Sequence, residues 1–143
     1  MNSNNLPPVQ PQATGQPEDE RTLYELVGGM ETFRRLVDAF YRRVEADEVL
    51  RPVFPEDLES NKRSQYLFLA QFFGGPTTYS EERGHPRLRM RHFPFAIDQQ
   101  ARDHWLKNML DAIEEVGIKE PMRSEMTDYF ERGSTFMINK DGL

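Results

Sequence analysis

Phe33, Leu36, Val37, Phe40 and Val44 recur at steps of three and four residues. That spacing gathers them into one stripe on a helix and would scatter them over both faces of a strand. Three further segments carry helical stripes: Leu58, Phe68, Leu69 and Phe72; Ala101, Trp105, Met109, Ala112, Ile113 and Val116; and Met122, Met126, Tyr129, Phe130, Gly133, Phe136, Met137 and Ile138. No segment alternates with period two, and no internal repeat appears. The pattern predicts an all-α domain with long helices over about 30–45, 57–73 and 99–116 and a last one opening at Pro121. A short helix leads in, with Thr22 and Glu25 spaced as a capping box. Gly28-Gly29, Gly74-Gly75-Pro76 and Gly117 punctuate the helices. Pro52 and Pro55 keep 47–56 out of helix, and Phe54 between them is expected to pack inward. The reading leaves 77–86 as a connection and allows a turn or two of helix over 87–91 before Phe93-Pro94.

Composition narrows the function classes. The 143 residues suit one domain, read as 20–143, preceded by a tail over 1–19 too poor in apolar residues to order itself. With no cysteine, thiolate zinc sites, iron–sulfur clusters and cysteine nucleophiles are excluded. A net charge of −6, from 24 acidic and 18 basic residues, disfavours nucleic acid and anionic membrane as partners. No apolar run approaches a membrane span, and residues 1–17 lack the basic and apolar regions of a signal peptide. A cytoplasmic location is the expectation.

The usual enzyme constellations are absent: no phosphate loop, no His-Glu-x-x-His, no Gly-x-Ser-x-Gly. The chemistry then falls to three histidines. His104 sits beside Trp105 on the other side of its helix and reads as a surface residue. His85, between glycine and proline, reads as structural. His92 ends a segment bearing Arg87, Arg89 and Arg91 and precedes Phe93, Pro94 and Phe95. It fits either a core histidine or a haem iron ligand, because a porphyrin supplies four of the iron's ligands itself. The arginines fit haem propionates, a phosphate patch or an ordinary exposed loop. Asn61 and Gln65 complete the stripe of the third helix. They face solvent, bond to backbone, or line a cavity with polar tips. Tyr41 borders the stripe of the second helix, where a buried hydroxyl needs a partner.

Taken together, Gly28-Gly29, Phe40-Tyr41, Gly74-Gly75-Pro76, Trp105 and the run Gly-His-Pro-x-Leu-Arg-x-Arg-His-x-x-Phe-x-Ile over 84–97 resemble the truncated haemoglobins, the short two-over-two globins, and within them the second group. The resemblance spans residues 22–139 and implies a two-over-two helical sandwich around one haem b (iron protoporphyrin IX). It implies His92 as the iron ligand, Arg91 as a propionate partner, and Phe54, Phe68, Leu69, Tyr79, Phe95 and Ile97 as haem contacts. On the distal side it implies donors from Tyr41, Gln65 and Trp105, with Asn61 at the ligand gate. Two positions depart from the common pattern. Asn61 is larger and more polar than alanine, which slows ligand entry or routes it through water. Phe54 lacks the hydroxyl that some members add to the ligand network.

The function so implied is reversible binding of dioxygen and other small diatomic ligands at ferrous iron, retained tightly by distal donors, with side chemistry on nitric oxide or peroxide. A haem peroxidase or redox sensor is the alternative. Neutral Tyr41, Trp105 and Gln65 are poor bases for deprotonating peroxide, which ranks peroxidase lower. A helical module without cofactor, with His92 in its core, is a third reading. A reductase and a second copy of the chain are the partners the resemblance suggests.

Overall fold

A computed structural model of the chain describes residues 20–87 and 96–139. The expected tail over 1–19, the segment holding His92, Arg91 and Phe95, and residues 140–143 lie outside the described residues. The described residues form helices and no strand: α1 (Leu23–Leu26), α2 (Met30–Ala46), α3 (Glu59–Phe72), α4 (Thr78–Arg83), α5 (Gln99–Val116) and α6 (Met122–Phe136), with a 3-10 turn at Arg51–Val53. None of these helices is long and apolar enough to cross a membrane.

α2 is the spine. Its stripe buries Phe33, Leu36, Val37, Phe40, Tyr41 and Val44, each such apolar side chain contributing about 2 kcal/mol. One flank of α2 packs on α3 and another on α5, while α6 pairs with α5. Two helix pairs, α2/α3 and α5/α6, thus share a core of Leu69, Phe73, Met109, Ile113, Met126 and Phe130.

The ends of these helices follow local chemistry. The capping box forms as the spacing predicts: Glu25 N–H donates to Thr22 Oγ1 at 3.3 Å, and Thr22 N–H donates to Glu25 Oε1 at 3.1 Å. Asp98 caps α5, its carboxylate accepting from Ala101 N–H at 2.8 Å. The Gly74-Gly75 pair is explained by a close approach of α1 to the end of α3, where Tyr24 N–H donates to the Phe73 carbonyl at 2.9 Å. A Cβ at Gly75 would stand 2.6 Å from the Tyr24 ring and 2.9 Å from the Ala70 carbonyl oxygen. The Tyr24 ring is itself stacked on Phe33 at 5.8 Å, and the Ala70 oxygen is backbone, so neither yields easily. Gly75→Ala is therefore expected to destabilise the fold by about 1–3 kcal/mol. Urea unfolding followed by circular dichroism measures this, and an unchanged midpoint would contradict it.

Three expectations need correction. The 77–86 connection contains α4, which the polar sequence hides. It is anchored from outside: Gln71 Oε1 accepts from Ser80 N–H at 3.0 Å, and Gln71 Nε2 donates to Ser80 Oγ at 2.7 Å. Phe136, counted on the inner face of the last helix, is 62 % exposed, because the core-facing stripe of α6 runs through Met126, Phe130 and Ser134. His104 is not a plain surface residue: it joins α5 to the end of α2, its Nδ1 lying 3.0 Å from Asp47 Oδ2.

Candidate functional site

The loop after α2, helices α3, α5 and α6, and the residues before α5 enclose a cavity of about 150 Å³. From the loop come Leu50, Val53, Phe54 and Pro55; from α3, Asn61, Gln65, Phe68 and Leu69. Ile97 precedes Ala101, Arg102 and Trp105 of α5, and α6 adds Tyr129, Phe130, Gly133, Ser134 and Met137. Seven residues singled out in the sequence thus meet around one space: Phe54, Asn61, Gln65, Phe68, Leu69, Ile97 and Trp105. Asn61 and Gln65 share a wall because they are one helical turn apart on α3.

Tyr41 stands just behind this wall. Its ring meets Phe54 edge-on at 5.6 Å and Phe40 at 5.2 Å, and Asn61 of α3 lies close enough to influence its hydroxyl. Burial pushes its phenol well above the ordinary tyrosine value, only partly offset by Asn61. Tyr129 is raised by burial to about 12. Both phenols keep their protons at physiological pH, so they can act as donors and not as bases. Tyr79 lies further back, packed against Phe68 at 5.5 Å and clear of the cavity lining. His85 Nδ1 accepts from Arg87 N–H at 3.0 Å, which is a turn-forming contact. His92, Arg91 and Phe95 belong to the undescribed segment, so their expected roles stay with the sequence.

The α6 side of the cavity was not assigned in the sequence. Tyr129, Phe130, Gly133 and Met137 were legible as a helical stripe, but nothing in the spacing separated cavity wall from core. Arg102 and Ser134 carried no signal at all. Arg102 Nε donates to Ser134 Oγ at 3.1 Å, and its terminal nitrogen donates to the Glu131 carbonyl at 3.1 Å, pinning α5 to α6 at the cavity edge.

The lining is mostly carbon with a few polar tips, the character of a site for a largely apolar ligand that is oriented by a few hydrogen bonds. Among the described residues the Gln65 amide and the Trp105 indole N–H have no hydrogen-bond partner, so both are available to whatever occupies the cavity. No group of three or more histidine, cysteine or acidic side chains is gathered among the described residues. A metal held here would therefore bring most of its own ligands, as iron does within a porphyrin. The described wall fits haem.

An all-helical sandwich around such a cavity is the architecture of a globin. The bacterial-like globin family model matches residues 22–139, and the chain belongs to that family. Within it the relatives are truncated haemoglobins. The chain is 43 % identical over 117 residues to group 2 truncated haemoglobin YjbI of Bacillus subtilis, covering 82 % of this chain and 88 % of that protein. It superposes on the haemoglobin of the thermophilic phototrophic bacterium Chloroflexus aurantiacus with a TM-score of 0.83 and 59 % identity, over 85 % of this chain and 100 % of the other. The truncated oxygen-avid haemoglobin from Bacillus subtilis matches with a TM-score of 0.80 and 42 % identity, over 83 % and 100 %. The fold is thus the two-over-two globin fold of the group II truncated haemoglobins, and the cofactor is haem.

Proposed function

We propose that this globin binds haem b through His92 and retains dioxygen tightly with a set of neutral donors: Tyr41, Gln65 and Trp105. Bound ferrous haem supplies the iron at which a diatomic ligand binds reversibly. The chain's own residues decide how long the ligand stays. One observation carries the reading: the Gln65 amide and Trp105 N–H are unpaired in an apolar wall. Both residues are half-buried; a donor shut off from water without a partner costs about 1–3 kcal/mol, so a ligand that fills the cavity is held by completing them. Tyr41 joins them from behind the wall, its buried phenol keeping the proton that it can donate.

Each donor contributes about 0.5–1.5 kcal/mol, and three sum to roughly 3 kcal/mol, on the order of a hundredfold in retention if they add. Retention of that order suits redox chemistry or sensing better than oxygen delivery. The oxygen avidity reported for the Bacillus subtilis truncated haemoglobin, 42 % identical, supports the reading. Arg91 pairs a propionate, and Asn61 hinders ligand entry. In this reading residues 20–143 form the globin domain behind the 1–19 tail, the protein works in the cytoplasm, and a reductase keeps its iron ferrous. Nitric oxide or peroxide is then the co-substrate class, nitric oxide ranking first. Among the described lining residues there is no carboxylate or histidine to take a proton from peroxide.

The absorption spectrum of the purified ferrous protein, with and without oxygen, tests the reading. An intense Soret band that shifts on oxygenation and recovers on deoxygenation is expected. A colourless chain that takes up no haem would end the proposal.

A further inference from the structure

The joint between α2 and α5 lies outside the ligand cavity, yet it touches both halves of the distal wall. Asp47 ends α2. Its Oδ1 accepts from the backbone N–H groups of Val49 and Leu50 at 2.9 and 3.0 Å, which fixes the first turn of the loop that carries Phe54. The same carboxylate reaches across to α5, where Asn108 Nδ2 donates at 2.8 Å and His104 Nδ1 lies at 3.0 Å from Oδ2. His104 is the residue immediately before Trp105. One side chain therefore sets the loop bearing Phe54 and the helix bearing Trp105 against each other.

We infer that Asp47, His104 and Asn108 form a proton-sensitive clamp that positions Trp105 and Phe54 in the ligand cavity, so that protonation of His104 slows ligand release. The inference rests on the proposed role of Trp105 as a donor. Histidine changes charge across roughly pH 5–8. With the imidazole protonated, the contact is a charge-assisted bond between His104 and Asp47. With it neutral, a weaker hydrogen bond is left.

The carboxylate does not titrate in that range. Desolvation would raise it, but the bonds from His104, Asn108, Leu50 and Val49 outweigh this and hold it at about 2. The sign follows: Asp47 stays a carboxylate, so the charge-assisted form of the contact needs only a protonated imidazole opposite it and is favoured by lower pH.

On α5, Asp103 bonds to Gln99 and Arg102 and also interacts with the adjacent His104 charge, while Lys107 pairs with Asp111 at 2.7 Å. On α2, Arg43 pairs with Glu115 at 2.6 Å. In the loop, Arg51 donates to the Pro55 and Glu56 carbonyls. Asp47 is the carboxylate that faces His104 from another element among the described residues. The His104 side chain is 39 % exposed, so solvent protons reach it.

Trp105 is the chain's single tryptophan, which gives a direct optical readout of its setting. The test uses the haem-loaded full chain at pH 6.0 and 8.5, measuring oxygen release by stopped flow and the tryptophan band in near-ultraviolet circular dichroism. Release is expected to be about threefold slower at the lower pH in the wild type, the size of a partly exposed ion pair. Both the rate difference and the pH-dependent change in the Trp105 band should vanish in His104→Gln, which keeps a donor without a charge. They should vanish also in Asp47→Asn, which keeps the oxygen that caps the loop. A pH dependence that persists unchanged in both variants, or a wild type with none in either signal, overturns the clamp. A release rate and a Trp105 band that both change with pH in the wild type alone uphold it, even where Trp105→Phe shows that the indole is not a ligand donor, because the clamp also positions Phe54. The two failures are thereby separable.

Discussion

Removing the Trp105 indole and the Tyr41 hydroxyl together, as Trp105→Phe with Tyr41→Phe, should speed oxygen release by roughly tenfold to a hundredfold, and each single change by several-fold. Both replacements keep an aromatic ring, so the packing of Trp105 on Phe40 at 5.2 Å and on Phe130 at 5.7 Å is largely retained. What is lost is a donor. The two changes differ in one respect. The Trp105 N–H has no partner among the described residues, whereas the Tyr41 hydroxyl has the Asn61 amide beside it, which Tyr41→Phe leaves in place. Asn61 lines the cavity and can turn toward the ligand, which would soften the Tyr41 effect relative to that of Trp105. Stopped-flow displacement of oxygen measures all three variants. Release that stays at the wild-type rate in the double variant would show that the distal donors do not govern retention.

His92→Ala is expected to have the larger effect on the protein as a whole. A haem held by one protein ligand loses its anchor when that imidazole goes, and only the contacts of the cavity wall remain. The variant should yield protein with a diminished or shifted Soret band, and added imidazole should restore much of the wild-type spectrum by filling the space left by the side chain. His85→Ala and His104→Ala are the controls, since the first histidine holds a turn and the second binds Asp47. Should His92→Ala keep the wild-type ferrous spectrum while one of the controls loses it, the ligand assignment moves to that residue.

Helix positions were legible because buried stripes impose their period on the sequence. The predicted helix over 99–116 coincides with Gln99–Val116, where an aspartate cap and a left-handed Gly117 mark both ends. α4 escaped because its stability comes from Gln71 reaching across to Ser80, a contact without local trace. At the site, Asn61 and Gln65 stood out as amides on an apolar stripe, and both line the cavity. Arg102 and Ser134 did not, since an arginine and a serine in amphipathic helices look like ordinary surface residues. His104 was misread for a related reason. Lying off its own helix's stripe sets a residue outside the core of that helix, but says nothing of a carboxylate approaching from the end of another.

Arg87 and Ile97 are each held by a hydrogen bond to a neighbouring side chain. The His85 ring holds the Arg87 amide; Ile97 and Asn139 exchange two hydrogen bonds of 2.9 Å, tying the start of α5 to the residues after α6. That tether lies behind Ile97, which lines the cavity, while Asn139 itself does not. A change that cuts it, such as Asn139→Ala, should loosen this part of the wall and weaken cofactor retention from a position outside the cavity lining.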